Sequence, residues 1–221
     1  MIHAKEKLLI IRHPRSLGNI RASEDHDCDI TEFGHRQART VAKFLRDHFD
    51  LYGYSLFTSP WLRCLEMAYY IQKTVCSRHH LMPFTVLPDL REYINHGWDE
   101  VELLLRRHEY RSMNWDKFAN QADKMTFKAE FNEQLIARIR RLHDFLPQRS
   151  VVVTHGLPAL TLMHVATKDA NYIPIWDYSI DNASMTLIVN GQVIWHGRNL
   201  FPEIDEDPHD KPKIYDDLNF L

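Results

Sequence analysis

The segment Ser150 to Thr154 reads Ser-Val-Val-Val-Thr, an unbroken β-branched run that stops at His155-Gly156. Continuous apolar strands of this kind suit a parallel sheet covered on both faces, because a solvated face would impose polar alternation. A second such run, Lys7 to Ile11, ends as abruptly in Arg12, His13 and Pro14. Strands buried on both sides demand helices on both sides, and the rest of the chain supplies them. Thr31 can cap a helix with Val41, Phe44, Leu45, His48 and Phe49 at three- and four-residue steps, closing near Gly53. Ser55 to Thr58 reads as a short strand. Ser59-Pro60 then opens a helix towards Cys76, with Ser59 as cap, Leu62, Leu65, Met67, Ala68 and Ile71 available for packing, and Arg63 in the first turn. Phe84 to Leu87 reads as a strand, and Asp89 to Gly97 as a loop. Asp99 to His108 and Lys128 to Phe145 read as helices, the second with Phe131, Leu135, Ile136, Ile139, Leu142 and Leu146 along one side. Residues 110 to 127 show no clear period. Pro158 to about Thr167 is a further helix. Met185 to Val189 and Val193 to His196, joined by Asn190-Gly191, form a hairpin with a type I′ turn.

The expected architecture is a three-layer α/β/α sandwich with a mostly parallel sheet and an antiparallel edge strand, in one domain over residues 1–202. An acidic, proline-bearing C-terminal tail occupies 203–221. With 44% hydrophobic and 26% charged residues in 221, the chain falls in the soluble globular class. A formal net charge of -3 gives no global basic field, so neither nucleic acid nor an anionic membrane is an expected partner. No apolar run approaches the roughly 20 residues of a spanning helix, and the expected location is cytoplasmic. None of the 7 glycines stands in a G-x-G-x-x-G or P-loop arrangement, which excludes those nucleotide cradles. Cys28, Cys64 and Cys76 lack C-x-x-C spacing and are read as reduced, mostly buried thiols. Histidines other than His13 and His155, among them His79-His80, lack H-E-x-x-H or other metal spacing and are assigned surface roles; no metal and no cofactor is expected.

In open α/β sheets ligands sit beyond the carboxyl ends of the strands, where His13 and His155 would meet if their strands are neighbours. Two imidazoles, two arginines and a loop carboxylate make a coherent phosphoryl-transfer set. Guanidinium forks such as those of Arg12 and Arg63 match phosphate oxygens with parallel charge-assisted bonds. A neutral imidazole can attack phosphorus, and cationic neighbours favour that neutral form. A second, cationic imidazole can bond the equatorial oxygens in the transition state, and a carboxylic acid can protonate the leaving alkoxide.

The run Leu9-Ile-Ile-Arg-His-Pro-Arg-Ser-Leu-Gly-Asn19 resembles the R-H-G-x-[ST]-x-x-N signature of the histidine phosphatase superfamily, in its phosphoglycerate mutase-like branch. Thr31-Glu-Phe-Gly-His-Arg-Gln-Ala38 resembles its L-T-x-x-G-x-x-Q-A helix start. Thr58-Ser-Pro-Trp-Leu-Arg63 resembles S-S-P-x-x-R, Leu90-Arg-Glu92 with Gly97-Trp98-Asp99 resembles L-x-E with a downstream G-x-W-E, and Val153-Thr-His-Gly156 resembles V-[ST]-H-G. The resemblance implies that His13 is the nucleophile, that Arg12, Arg63 and His155 form the phosphate pocket, and that Glu92 donates the proton. It further implies that Asn19 and Ser16 contact substrate or phosphate, although both also read as turn or capping residues. Glu100 and Asp99 stand near enough in sequence to compete with Glu92 for the acid role.

Three departures stand out. Pro14 replaces a glycine and has no N–H to offer, Arg15 adds positive charge that would suit a second anionic group, and Leu157 follows Gly156. The expected activity is a metal-independent phosphomonoester phosphatase acting through phosphohistidine on a small-molecule phosphomonoester. Phosphoglycerate mutase-type phosphoryl transfer and a catalytically silent phosphate-binding module are the alternatives. The compact stretch between Glu92 and His155 resembles that of the family's phosphatase members rather than its longer mutases, which favours hydrolysis, and the complete His-Arg-Arg-Glu-His set argues against silence.

Overall fold

The structure is a computed structural model that describes residues 5–23, 25–75, 84–94, 100–104, 114–115, 124–168 and 180–201. Strand β1 (Lys7–Arg12) leads through helix α1 (Glu32–His48) to β2 (Ser55–Thr58), α2 (Leu62–Val75), β3 (Phe84–Val86) and a 3-10 turn at Pro88–Leu90. Strands β4 (Glu100–Leu104), β5 (Asn114–Trp115) and β6 (Lys124–Lys128) precede α3 (Asn132–Phe145), β7 (Arg149–Thr154), α4 (Gly156–Ala166) and the pair β8 (Met185–Val189) and β9 (Gln192–Arg198). The main sheet has 7 strands in the order β5-β3-β2-β7-β1-β8-β9. It is parallel from β5 to β1, and β8 runs antiparallel to both of its neighbours.

Alternate side chains of the same strands feed two separate cores. Leu9, Ile11, Val151 and Val153 pack with Val41 and Leu45 of α1 and Leu65 and Ala68 of α2. Leu8, Ile10 and Val152 pack on the other face with Leu135 and Ile139 of α3 and Leu160 and Leu162 of α4. Burial of each such side chain contributes roughly 1.5–3 kcal/mol, so the continuous apolar runs require both helical layers. The β8–β9 turn has positive φ at Asn190 (51°) and Gly191 (80°), as a type I′ hairpin requires. Among the described residues no helix is long and apolar enough to cross a membrane.

Four local expectations are corrected. Within Asp99 to His108, residues Glu100–Leu104 form a strand paired antiparallel to β6 in a second, two-stranded sheet. Val101 and Leu103 are buried while Glu102 is exposed, a period of two that partnership with β6 enforces over helix propensity. The helix expected from Lys128 starts at Asn132, because Lys128 closes β6, and Phe131 stands at the cap, 58% exposed rather than on the packed side. Helix α2 starts at Leu62 rather than directly at Pro60; Ser59 Oγ accepts from the Trp61 amide at 3.4 Å, as expected of a cap, and the Leu62 amide donates to Asp27 Oδ1 at 2.6 Å, so a distant carboxylate shares the capping. His143 is fully buried rather than on the surface, since it lies one helical step of four residues beyond Ile139. Cys28 and Cys64 are free and buried as expected. Cys76, His79-His80, Asp99 and the 203–221 tail lie outside the described residues.

A buried ion network fastens α3 to the loop that bears Glu92. The Arg138 guanidinium, 1% exposed, donates to both carboxylate oxygens of Glu130 and, through Nη1, to the carbonyls of Asp89 (2.6 Å) and Arg91 (3.2 Å). Arg91 Nη2 donates to the same carboxylate at 3.2 Å. Glu130→Ala strands a buried guanidinium, and removing one partner of such a pair costs about 3–5 kcal/mol. Urea unfolding is expected to show that loss, with a smaller one for the paired replacement Glu130→Gln, Arg138→Met. Equal stability of wild type and Glu130→Ala would contradict the network's role.

Candidate active site

The parallel register of β1 and β7 sets Ile11 opposite Val153 and Arg12 opposite Thr154. The His13 amide continues it by donating to the Thr154 carbonyl at 2.9 Å. His13 and His155 therefore emerge together, with ring centroids 5.2 Å apart and planes at 62°. The backbone after His13 is held from two sides. The His13 carbonyl accepts from the Ala183 amide (3.0 Å) and Asn182 Nδ2 (3.2 Å), and the Arg15 carbonyl accepts from the Thr31 amide at 2.9 Å. Helix α1 comes so close there that a Cβ on Gly34 would lie 2.2 Å from the Arg15 carbonyl oxygen, which is the reason for glycine in Thr31-Glu-Phe-Gly34.

The His13 ring is 2% exposed. Its Nδ1 lies 2.7 Å from the Pro14 carbonyl oxygen, which can only accept, so Nδ1 carries the proton. Nε2 is left as the lone-pair nitrogen and accepts from Arg63 Nε at 3.3 Å. Pro14 thus lacks a donor but supplies the acceptor that selects the tautomer with the lone pair on Nε2. Arg63, from the first turn of α2, also reaches the His26 carbonyl through Nη1 (2.8 Å) and Glu92 Oε2 through Nη2 (3.4 Å). Glu92 Oε2 lies 3.1 Å from His155 Nδ1, and Glu92 Oε1 accepts from the Tyr93 amide at 3.0 Å. Arg12 donates through Nη1 to the Ile180 carbonyl and packs against Gly156, where a Cβ would lie 3.7 Å from Arg12 Nε.

Burial holds the His13 imidazole well below its ordinary value, and the charges of Arg63 and Arg12 add to this; the Pro14 hydrogen bond opposes. Burial likewise lowers His155 to about 4, against the pull of Glu92. For Glu92 burial acts upward, but His155 and Arg63 outweigh it and hold the carboxyl at about 2. The resting site is therefore two neutral imidazoles, one carboxylate and two guanidinium cations. The second imidazole, expected as a cation, is neutral in the resting site.

The structure brings His13, Arg63, Glu92 and His155 into one hydrogen-bonded group with Arg12 alongside. Ser16 and Asn19 form a closed turn instead. Asn19 Oδ1 accepts from the Ser16 amide (2.9 Å), the Ser16 hydroxyl (3.0 Å) and Asn182 Nδ2 (3.2 Å), so this oxygen is committed to shaping the loop. Three residues escaped sequence reasoning. Ser59 Oγ lies 2.8 Å from His155 Nε2, a role hidden because Ser-Pro also reads as a helix entry. Asn182 is tied to His13 and Asn19 but carries no local sequence signal. Trp61, 2% exposed, meets the His155 ring edge-on at 5.6 Å and stacks on Phe127 at 5.2 Å, joining the small sheet to the site. Of the rival acids, Glu100 lies on β4 opposite Lys128.

Ligand atoms of His13, Glu92 and His155 all lie within 4.8 Å of one another, a spacing that could hold a cation. Arg63 answers that possibility: its guanidinium is bonded to the His13 nitrogen a metal would need, and its charge opposes a second cation there. The group is built for an anion.

Residues 8–197 match the model of the histidine phosphatase superfamily, branch 1. The chain belongs to that superfamily and is an enzyme of phosphoryl chemistry. No curated protein is significantly similar to it in sequence. Among solved structures it is similar to mycobacterial glucosyl-3-phosphoglycerate phosphatase in complex with VO3, with 19% identity over 82% of this chain and 90% of that one and a TM-score of 0.54. It is similar to the ecdysone phosphate phosphatase from Bombix mori in complex with tungstate, with 13% identity over 94% and 98% and a TM-score of 0.62. It is also similar to phosphoserine phosphatase from Entamoeba histolytica in complex with 3-phosphoglyceric acid, with 17% identity over 82% and 89% and a TM-score of 0.52. At these identities the likeness is one of fold.

The buried histidines give stability a pH dependence of known sign. Below 6.5, the ordinary value, an unfolded chain protonates residue 155, whereas the folded protein does not until about 4. The unfolded state binds more protons in that window, so stability falls as pH drops from 6.5 towards 4, and Glu92 extends the loss towards about 2. Denaturant midpoints measured across this range are expected to fall less steeply in His155→Gln than in wild type. Parallel curves would contradict the assignment of a neutral His155.

Proposed function

We propose that the protein is a metal-independent phosphomonoesterase that acts through a phosphohistidine at His13. The observation that carries this reading is the tautomer: Pro14 holds the Nδ1 proton, and Nε2 presents its lone pair beside the Arg63 guanidinium. A phosphoryl group drawn in by Arg12 and Arg63 would displace the Arg63 contact and meet Nε2 directly. Attack forms the N–P bond and breaks the ester P–O bond, with the proton on Glu92 passing to the leaving oxygen. Water then adds to phosphorus, gives its proton to Glu92 and releases inorganic phosphate with His13 restored.

The low resting value of Glu92 does not oppose this role. An entering phosphate brings negative charge next to Glu92 and His155, which raises both, so the site takes up protons as it loads. The phosphatases among the similar structures support hydrolysis over transfer to a second hydroxyl. The two guanidinium forks of Arg12 and Arg63 support a phosphomonoester as the substrate class.

Rapid quench after incubation with a reactive phosphate ester, in excess chelator, is expected to trap phosphate on His13 and nothing in His13→Ala. Phosphate recovered on serine or cysteine, or turnover that returns only with added divalent metal, would overturn the mechanism. Glu92→Gln is expected to slow phosphorylation by alkyl phosphates about 10²–10⁴-fold in single turnovers, because an alkoxide needs a proton as it leaves. Loss with p-nitrophenyl phosphate should be much smaller, since that phenolate leaves unaided, and Glu100→Gln should affect neither ester. An equal loss for both esters would show that Glu92 is not the acid.

A further inference from the structure

Beside the catalytic group, β6 and α3 border a cleft of about 470 Å³ lined by Arg91, Lys128, Arg138 and Arg141, with Glu130 as its one carboxylate among the described residues. None of His13, Arg12, Arg63 or His155 borders it. Arg138 is spent on Glu130 and on two backbone carbonyls, so it supplies charge and rigidity rather than free donors. Arg91 gives one nitrogen to Glu130 and lies over the Phe127 ring at 5.2 Å, with Asp89 Oδ1 3.7 Å from Nη1. Its buried Nε has no hydrogen-bond partner among the described residues. Lys128 and Arg141 stand exposed at the rim, and Gln134 adds a side-chain amide to the lining. Among the described residues four cations share one lining carboxylate, with Asp89 set behind Arg91, and the crowding is felt: burial and the neighbouring Arg138 bring Arg91 down to about 10.

We propose that this cleft is a second anion site, which takes a phosphate or carboxylate group on Lys128 and Arg141 at its rim, above the Arg91 and Arg138 guanidinium groups. An anion there would relieve the repulsion among the four cations. The cleft is separate from the phosphoryl pocket yet adjoins it. Arg91 and Glu92 are consecutive, and Phe127 touches both Arg91 and Trp61, which touches His155. Two sources of the anion share this chemistry: a second acidic group on the substrate itself, or a free anion.

Calorimetric titration of the full chain with inorganic phosphate reads the site directly. Wild type is expected to bind two phosphates. The double variant Lys128→Glu, Arg141→Glu, both at exposed positions, should keep one and lose the other or weaken it at least about tenfold, as loss of charge-assisted contacts implies. Arg63→Ala should lose the opposite one. A single bound phosphate in wild type, or two undiminished in the double variant, would overturn the proposal. Kinetics then separate the sources. A rise in KM of about tenfold in the double variant, confined to esters with a second anionic group and absent for p-nitrophenyl phosphate, assigns the cleft to the substrate's far end. Unchanged KM for both esters, with the second phosphate still lost, assigns it to a free anion. Because the count of bound phosphates does not depend on turnover, failure of the phosphatase reading would leave this result legible.

Discussion

The pairing of β1 with β7 is the constraint on which the site depends. Two strands buried on both faces lie side by side and in parallel, so the residues that follow them must leave the sheet at the same edge. The hydrogen bond from the His13 amide to the Thr154 carbonyl carries the register one residue past the strand, and the two imidazoles come within 5.2 Å. Antiparallel pairing of the same runs would send them to opposite ends. The other functional groups are fitted to this edge: Arg63 from the start of α2, and Glu92 from the loop after the 3-10 turn.

Around this pair the structure sets charge states by burial and by neighbours rather than by residue type. Histidine is chosen where protonation is the hazard, and a dry site beside two guanidinium groups removes it. The Pro14 carbonyl then decides which nitrogen keeps the proton. The arrangement is robust, because the acceptor is a backbone atom adjacent in sequence and cannot drift away. Arg63 has a double character. At rest it shields Nε2 and binds Glu92, and the same donors are those that an incoming phosphate would claim.

The described residues of the small sheet and α3 support the site from behind. Trp61 sits with Ile94, Val101 and Leu103 in a small apolar cluster of its own, so the two-stranded sheet is anchored beside His155 by packing. The Arg138–Glu130–Arg91 network holds the loop that aims Glu92. The positive charge gathered for that purpose exceeds what Glu130 neutralises, and the cleft beside it inherits the surplus.

What the sequence determined by itself was the α/β layering and the members of the central constellation. Uninterrupted apolar runs admit few other burial solutions, and His13, Arg63, Glu92 and His155 each stand at the end of a strand, in the first turn of a helix or in the loop that follows a strand. Helix propensity misled at Glu100–Leu104, where pairing with β6 imposes a period of two. Short-range capping rules were incomplete at Ser59: its Oγ accepts from the Trp61 amide, but Asp27 arrives from far along the chain to bind the Leu62 amide. The tertiary structure alone decided that Ser59 faces His155, that Asn182 braces His13, and that Asn19 serves its own turn. It also decided that His155 is neutral at rest and that four cations meet between β6 and α3. These are properties of distance and solvent exclusion between residues remote in sequence, and no local pattern encodes them.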